Sequence, residues 1–494
     1  FIGIAAGAAN TIGGYNAFIG SEAGKSNIGG DRNTFIGEKA GMNNTEGNNN
    51  VMIGYVAGVQ NIDGDNNAFV GYAAGNANTT GSNNAFLGTF TGWKNSSGTN
   101  NAFLGNEAGE YNTSGSNNVF IGYKAGNQNT ISSNNTFIGT ESGYDNTIGE
   151  KNIFIGYRSG TNNIDGKQNI FIGDNAGFTN TTGDNIIAIG DSAGTNNTAS
   201  NNIFIGSWAG RDNTTGGSNL FVGKNTGQEN TTGAGNTYIG WGAGANNNGS
   251  NNVMMGYWSG LTATSSEENT FIGQGAGLTS TGSENIYIGY LAGGSGSSYT
   301  NCIVIGNSVN PSASNQLRIE GGGSSTPLIL GNFDANYLTV NGNELKLDNG
   351  STASAANITI DGDASNIKQL QFQENGLYQA GFGWEPVNNY VFLYNTKNSF
   401  VSKNGNIGIN NVNPTVQLDV TGETRISGLL SINSNNLGLS VSPGSGATPI
   451  NYIYQGVAGS SNVKDYAVAI YEPLWVYGSV WAVSFLTTSD KRFK

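Results

Sequence analysis

The chain has 494 residues and a formal net charge of −13, and its 20 basic against 33 acidic side chains exclude the basic surface that a nucleic-acid-binding protein needs. It contains no His and one Cys, Cys302, which excludes Ser-His-Asp and Cys-His nucleophiles, Cys-cluster zinc sites and an intrachain disulfide, so no metal or cofactor is expected. Charged residues make up only 11% of the chain, less than half of the about 25% usual in globular proteins, whereas Gly accounts for 79 residues.

Residues 1–310 consist of one short repeat, N-x-F-I-G-x-x-A-G-x-x-N-T-T-G-x-N. Its first Gly recurs every 17 residues from Gly3 to Gly190 and then continues to Gly306 with three steps of 16. A unit of this length is too short for a helical or propeller repeat and fits one turn of a parallel β-solenoid. The sequence therefore predicts an all-β fold, in which eighteen turns stacked about 4.8 Å apart give a rod on the order of 85 Å long.

Three positions of the repeat carry structural signals. The aliphatic residue before the first Gly and the small or β-branched residue three before it, such as Ile19 and Ala17, share one face of a strand, and we expect them to fill the interior. A second Gly four residues after the first, such as Gly24, predicts a corner with a special backbone conformation. Asn27 and its equivalents are expected to stack into hydrogen-bonded ladders along the axis.

The residue between the two aliphatic positions is aromatic in most repeats. Because side chains alternate along a strand, we expect these rings to point out of the turn. A dozen exposed rings of roughly 150–250 Å² each form a stripe of order 2,000 Å², beyond what a soluble monomer tolerates. Self-association about a threefold axis would cover it, which predicts a homotrimer; the alternative is a bend that turns both the ring and the aliphatic residues inward. The predicted seam consists of Phe18, Phe35, Phe69, Phe86, Phe103, Phe120, Phe137, Phe154, Phe171, Phe204 and Phe221.

The N-x-F-I-G-x-x-A-G motif resembles the head repeats of trimeric autotransporter adhesins. The resemblance covers residues 1–310 and implies a parallel β-roll wound as a trimer on the outside of a cell or particle.

The period stops after residue 310, and small β-rich domains are expected beyond it. Residues 311–350 are predicted to be a transition with short strands, because Asn-Gly at 341–342 between alternating segments is typical of a hairpin. The aromatic-rich stretch 351–404 predicts a compact β-knob, and 429–488 a distal β-rich segment.

Aromatic residues of these distal segments are candidates for stacking on a sugar, and burial in the knobs is the alternative. The candidates are Trp384, Trp475, Tyr477 and Trp481.

Two further motifs lie near the C-terminus. Residues 405–428, with G-N-I-G-I and L-D-V-T-G, resemble the linker that precedes distal domains in phage tail fibres. Residues 489–494, S-D-K-R-F-K, resemble the start of the endosialidase-type intramolecular chaperone. In that family the chaperone trimerises the fibre and then cuts itself off beside this motif, so the resemblance marks Ser489 and Asp490 as the candidate self-cleavage junction.

Together these features predict a structural fibre of a phage tail, a contractile injection device or a bacterial surface. Its expected partners are two further copies and a surface receptor, with a glycan among the candidates. The repeat is already under way at Phe1, so a preceding segment is expected to anchor the chain. No membrane insertion is expected, because no apolar run is long enough to span a bilayer. The chain itself is not expected to be an enzyme; the alternative is a polysaccharide-degrading tailspike, which needs carboxylates clustered on one face.

Overall fold

The computed structural model describes residues 1–296, 298–321, 328–335 and 337–340, and beyond these only the strands between Lys368 and Val468. The described residues form strands and turns without a helix, which confirms the all-β prediction. The chain divides into two units, Phe1–Lys346 and Leu347–Lys494.

The first unit is a parallel β-solenoid. Each turn contributes one short strand, which pairs in parallel and without a register shift with the strand one turn later, so that Phe18 lies against Phe35. This confirms the predicted turn length. The 17 intervals between β1 and β18 span roughly 80 Å at about 4.8 Å each. The strands are β1 (Ala17–Ile19), β2 (Thr34–Ile36), β3 (Val51–Ile53), β4 (Ala68–Val70), β5 (Ala85–Leu87), β6 (Ala102–Leu104), β7 (Val119–Ile121), β8 (Thr136–Ile138), β9 (Ile153–Ile155), β10 (Ile170–Ile172), β11 (Ile187–Ile189), β12 (Ile203–Ile205), β13 (Leu220–Val222), β14 (Thr237–Ile239), β15 (Val253–Met255), β16 (Thr270–Ile272), β17 (Ile286–Ile288) and β18 (Ile303–Gly306).

Strand pairing changes after the last turn. Strand β19 (Gln316–Glu320) still pairs in parallel with β18, whereas β20 (Ile329–Asn332) and β21 (Tyr337–Val340) are added antiparallel. The solenoid therefore ends in a short antiparallel extension.

The second unit contains a six-stranded sheet and a separate strand pair. The strands of the sheet are β22 (Lys368–Glu374), β23 (Leu377–Glu385), β24 (Tyr390–Asn395), β25 (Ser399–Lys403), β26 (Asn406–Ile409) and β27 (Leu418–Val420). The first five pair antiparallel in chain order, and β27 pairs in parallel with β26. Strands β28 (Ile453–Gln455) and β29 (Tyr466–Val468) form the antiparallel pair.

The interior of each turn is filled by the middle residue of its strand. Phe103 is 1% exposed, whereas Leu87 and Leu104 are 50% and 44% exposed. The aliphatic residues thus share a face, as predicted, but it is the outer face. The prediction that the rings point outward is wrong, and so is the alternative that rings and aliphatic residues both point inward. The correction applies to all eleven predicted seam residues, Phe18, Phe35, Phe69, Phe86, Phe103, Phe120, Phe137, Phe154, Phe171, Phe204 and Phe221.

The opposite wall of the turn explains why the ring lies inside. Gly109 has φ +57°, and a Cβ atom there would lie 2.5 Å from Cε2 of Phe103. The preceding residue, Ala108, is fully buried as well. The ring thus needs a wall without side chains, which the second Gly of the repeat supplies. Successive rings from Phe86 to Phe171 then stack with centroids 4.7–4.9 Å apart, within the range preferred by aromatic pairs.

A buried ladder of Asn side chains runs beside the rings, as the sequence predicted. From Asn27 to Asn180, each Nδ2 donates to Oδ1 of the Asn one turn earlier at 2.5–3.1 Å. The same Nδ2 also donates to a carbonyl three residues ahead, as Asn112 does to Gly115 at 3.0 Å. In a dry interior these paired amides replace the hydrogen bonds that water would make.

Candidate functional site

One surface of the solenoid is apolar and uncovered. We define the aliphatic face as the first and third residues of strands β1–β17 together with Ile303 and Ile305 of β18. These side chains alternate with the buried rings, and so they all point away from the interior. The most exposed of these side chains include Ile19, Val51, Leu87, Leu104, Ile121, Ile153, Ile205, Met255, Ile272, Ile286 and Ile305.

The aliphatic face is large for an exposed apolar surface. Its length of roughly 80 Å and its width of about 10 Å, three strand residues, give an area of about 800 Å². The largest apolar patch on a typical monomer covers only about 300–600 Å². Around Ala85 and Ala102 the surface forms a shallow groove bounded by Val70, Leu87 and Leu104. The face therefore has the size and relief of a surface that another molecule covers.

A second surface of the solenoid carries charged and exposed aromatic side chains. We define the outer corner as the residues one, two, five and six positions after the first Gly of each turn. Lys94 lies over the ring of Tyr111, with its Nζ 4.5 Å from the centroid, and Arg211 lies 5.5 Å from the ring of Trp208. Such cation–π contacts contribute about 0.5–1 kcal/mol at exposed sites. They hold neighbouring side chains of the corner together.

Two carboxylates, Glu141 and Asp145, line a polar groove in the outer corner. Arg158 Nε donates to Glu141 Oε2 at 2.7 Å, and this hydrogen bond raises the pKa of the guanidinium. Asp145 lines the same groove beside Lys124, and its partial burial raises the pKa of its carboxyl above the ordinary value. Asp145 therefore takes up a proton more readily than a carboxyl in water, whereas Glu141 is the hydrogen-bonded partner of Arg158.

An aromatic cluster occupies the outer corner farther along the solenoid. The ring of Trp241 lies 4.9 Å from Tyr257 and 6.0 Å from Trp258, and the last two rings are 4.4 Å apart, centroid to centroid. Trp241 and Trp258 are 44% and 39% exposed. The repeat consensus did not reveal this cluster because the outer corner differs from turn to turn. The sequence signal that could have predicted it is an aromatic residue directly after the first Gly in two consecutive turns, Trp241 and Tyr257.

The site residues predicted near the C-terminus lie wholly or partly outside the described part of the chain. Trp384 lies in β23, and only the course of that strand is described. Trp475, Tyr477, Trp481, Ser489 and Asp490 lie outside the described residues.

The described part of the chain contains no cluster of three or more His, Cys, Asp or Glu side chains able to hold a metal ion. The same residues include no helix with the length and hydropathy of a membrane span. Comparison with protein-family models gave no match, and comparisons with curated proteins and with solved structures gave none at the significance required.

Proposed function

We propose that the chain is a structural fibre that self-associates through its aliphatic face and attaches a particle or cell to a target surface. The observation that carries this proposal is the uncovered aliphatic face on eighteen stacked turns. Its area of about 800 Å² equals what each partner contributes to a standard protein interface. A second copy presents the same face with the same spacing, and so identical turns can pack against each other along the whole length.

A threefold axis parallel to the solenoid is the symmetry that we propose. It keeps the chains parallel and in register, so that each turn meets the equivalent turn of two neighbours and the three solenoids begin at the same end. Three identical copies also increase the strength of attachment by avidity. The resemblance of the repeat to trimeric adhesin heads supports three rather than two copies. The seam is aliphatic, with the Phe column left inside each chain.

The mass of the purified chain in solution tests this proposal. Light scattering should give close to three times 51.1 kDa. Leu87→Lys together with Leu104→Lys places two charges on the aliphatic face and should give the mass of one chain. Thr89→Lys together with Asn106→Lys is the matched control, because it adds the same charges to exposed outer-corner residues of the same turns and should leave the mass unchanged. A wild-type mass of one chain would contradict the proposal.

We also propose which kind of particle or cell carries the fibre. The tail-fibre-like linker and the chaperone-like motif support a phage tail or an injection device, and the adhesin-like repeat supports a bacterial surface; all three are extracellular. Self-cleavage at Ser489 and Asp490 is tested by the intact mass of a longer chain that includes the chaperone. A C-terminus at Ser489, abolished by Ser489→Ala, is the expected result.

A second candidate function is cleavage of a polysaccharide. It rests on the polar groove, where Asp145 has a raised pKa and Glu141 accepts a hydrogen bond from Arg158, since glycoside hydrolysis uses a pair of carboxyl groups of which one acts as the acid. Release of reducing ends that Asp145→Asn abolishes would support it. Release that persists in both Asp145→Asn and Glu141→Gln would exclude this groove as its source.

A further inference from the structure

The aromatic cluster of Trp241, Tyr257 and Trp258 is held in place by the solenoid itself. The backbone N–H of Trp258 donates to the carbonyl of Trp241 at 2.9 Å, and that of Gly242 donates to Lys224 at 2.9 Å, so these residues lie on consecutive turns. Because this pairing repeats from turn to turn, it sets the spacing between Trp241 and the next turn, which carries both Tyr257 and Trp258. The cluster is therefore a preorganised surface rather than a chance meeting of mobile side chains.

Gly242 makes room for one of these rings. Most other turns carry a side chain at this position, but a Cβ atom on Gly242 would lie 2.7 Å from Cδ1 of Trp258. The indole of Trp258 thus lies directly over the backbone of the preceding turn, where it stays 39% exposed. Its position leaves part of the ring open to a ligand.

The cluster is bordered by neutral positions on one side. None of the outer-corner positions from Trp241 to Leu291 carries a charge, whereas Lys224 lies one turn before Trp241. The same neutral stretch offers the amide of Gln274 one turn after Tyr257, since the N–H of the next residue, Gly275, donates to the carbonyl of Tyr257 at 2.9 Å. The cluster therefore combines uncharged ring surface with hydrogen-bond donors at its two edges, the amide of Gln274 on one side and the ammonium group of Lys224 on the other.

We infer that this aromatic cluster is a lateral binding site for a neutral saccharide. A pyranose ring has an apolar C–H face and a rim of hydroxyl groups, and its C–H face matches the electron-rich face of an aromatic ring. Trp241 and Trp258 supply the stacking surface, and Gln274 is placed to hydrogen-bond hydroxyl groups. The negative net charge of the chain disfavours polyanionic ligands and agrees with a neutral glycan. The inference does not depend on whether the chain trimerises.

Electrophoresis of the full chain through native gels tests this inference. The gels contain soluble starch, dextran, galactomannan or hydroxyethylcellulose at graded concentrations, and retardation measures affinity. At least one of these four neutral polysaccharides should retard the wild type. Trp258→Ala should weaken the binding by at least ~10-fold, as expected for a Trp at the centre of a contact. Trp241→Ala should act in the same direction.

Trp208→Ala is a closely matched control. Trp208 occupies the same position of the repeat as Trp258, has nearly the same φ (+61° against +56°) and is equally 39% exposed. It faces Arg211 instead of other rings, and so its loss should leave retardation unchanged. Retardation of the wild type in none of the four gels, or equal losses in Trp208→Ala and Trp258→Ala, would overturn the inference. A change in the mass of the chain in Trp258→Ala would assign the cluster to a contact between copies and would overturn it too.

Discussion

The inward orientation of the Phe rings can be tested by truncating two neighbouring residues of one strand. Phe120 is fully buried and stacks between Phe103 and Phe137, with centroids 4.7 and 4.9 Å away, whereas Ile121 is 37% exposed. Phe120→Ala should lower the free energy of unfolding by about 3–5 kcal/mol, because it leaves a cavity and removes both stacking contacts. Ile121→Ala should cost less than about 1.5 kcal/mol in an isolated chain, because much of the side chain is already in water.

The comparison needs a background in which self-association does not contribute. The double variant Leu87→Lys, Leu104→Lys supplies it, and guanidinium denaturation followed by circular dichroism gives the two free energies. Because the stability of a solenoid is close to a sum over turns and their interfaces, the loss should appear as a lower midpoint of the solenoid transition. A loss for Ile121→Ala equal to or larger than that for Phe120→Ala would refute the inward orientation of the rings.

Two further outcomes follow from the same turns. Gly126→Ala should lower the free energy of unfolding by about 2–5 kcal/mol, because Gly126 has a left-handed backbone, φ +57°, and a Cβ atom there would lie 2.7 Å from the Phe120 ring. Gly14→Ala is the control: the nearest atom to its Cβ would be 3.7 Å away, so the denaturation midpoint should change little. Burial raises the pKa of Asp145, so the folded chain binds this proton more tightly than the unfolded chain, and stability falls as the pH rises through the raised pKa. Asp145→Asn should therefore raise the denaturation midpoint at pH 7 but not at pH 3, and a lower midpoint at pH 7 would contradict this reasoning.

The repeat made the fold predictable but left one choice open. The period, the parallel stacking, the Asn ladder and the corner Gly all follow from which residues recur. Alternation along a strand places Phe103 and Leu104 on opposite faces, but it does not decide which face is inside. The deciding signal was Gly109, because a Gly facing the ring is needed only when the ring is inside.

The candidate surfaces were harder to predict for a different reason. The aliphatic face was visible in the sequence but was assigned to the interior, and it became a candidate only once Phe103 and its equivalents had filled that space. The aromatic cluster depends on Gly242, a departure from the consensus, and on which turns become neighbours. A consensus averages over such departures, and so it describes the scaffold better than any site on it.

The Asn ladder has a mechanical consequence. Its hydrogen bonds lie along the axis, so a pulling force applied to the two ends of the solenoid loads every layer between turns in series, and the weakest layer sets the force at which the stack opens. From Asn27 to Asn180 each layer includes an amide bond of the ladder, but Asn197 Nδ2 donates to Ala199 in its own turn, and the side chain of Asn230 makes no hydrogen bond with the described residues. Rupture under tension is therefore expected to begin in the turns after Asn180 and to leave the N-terminal turns intact.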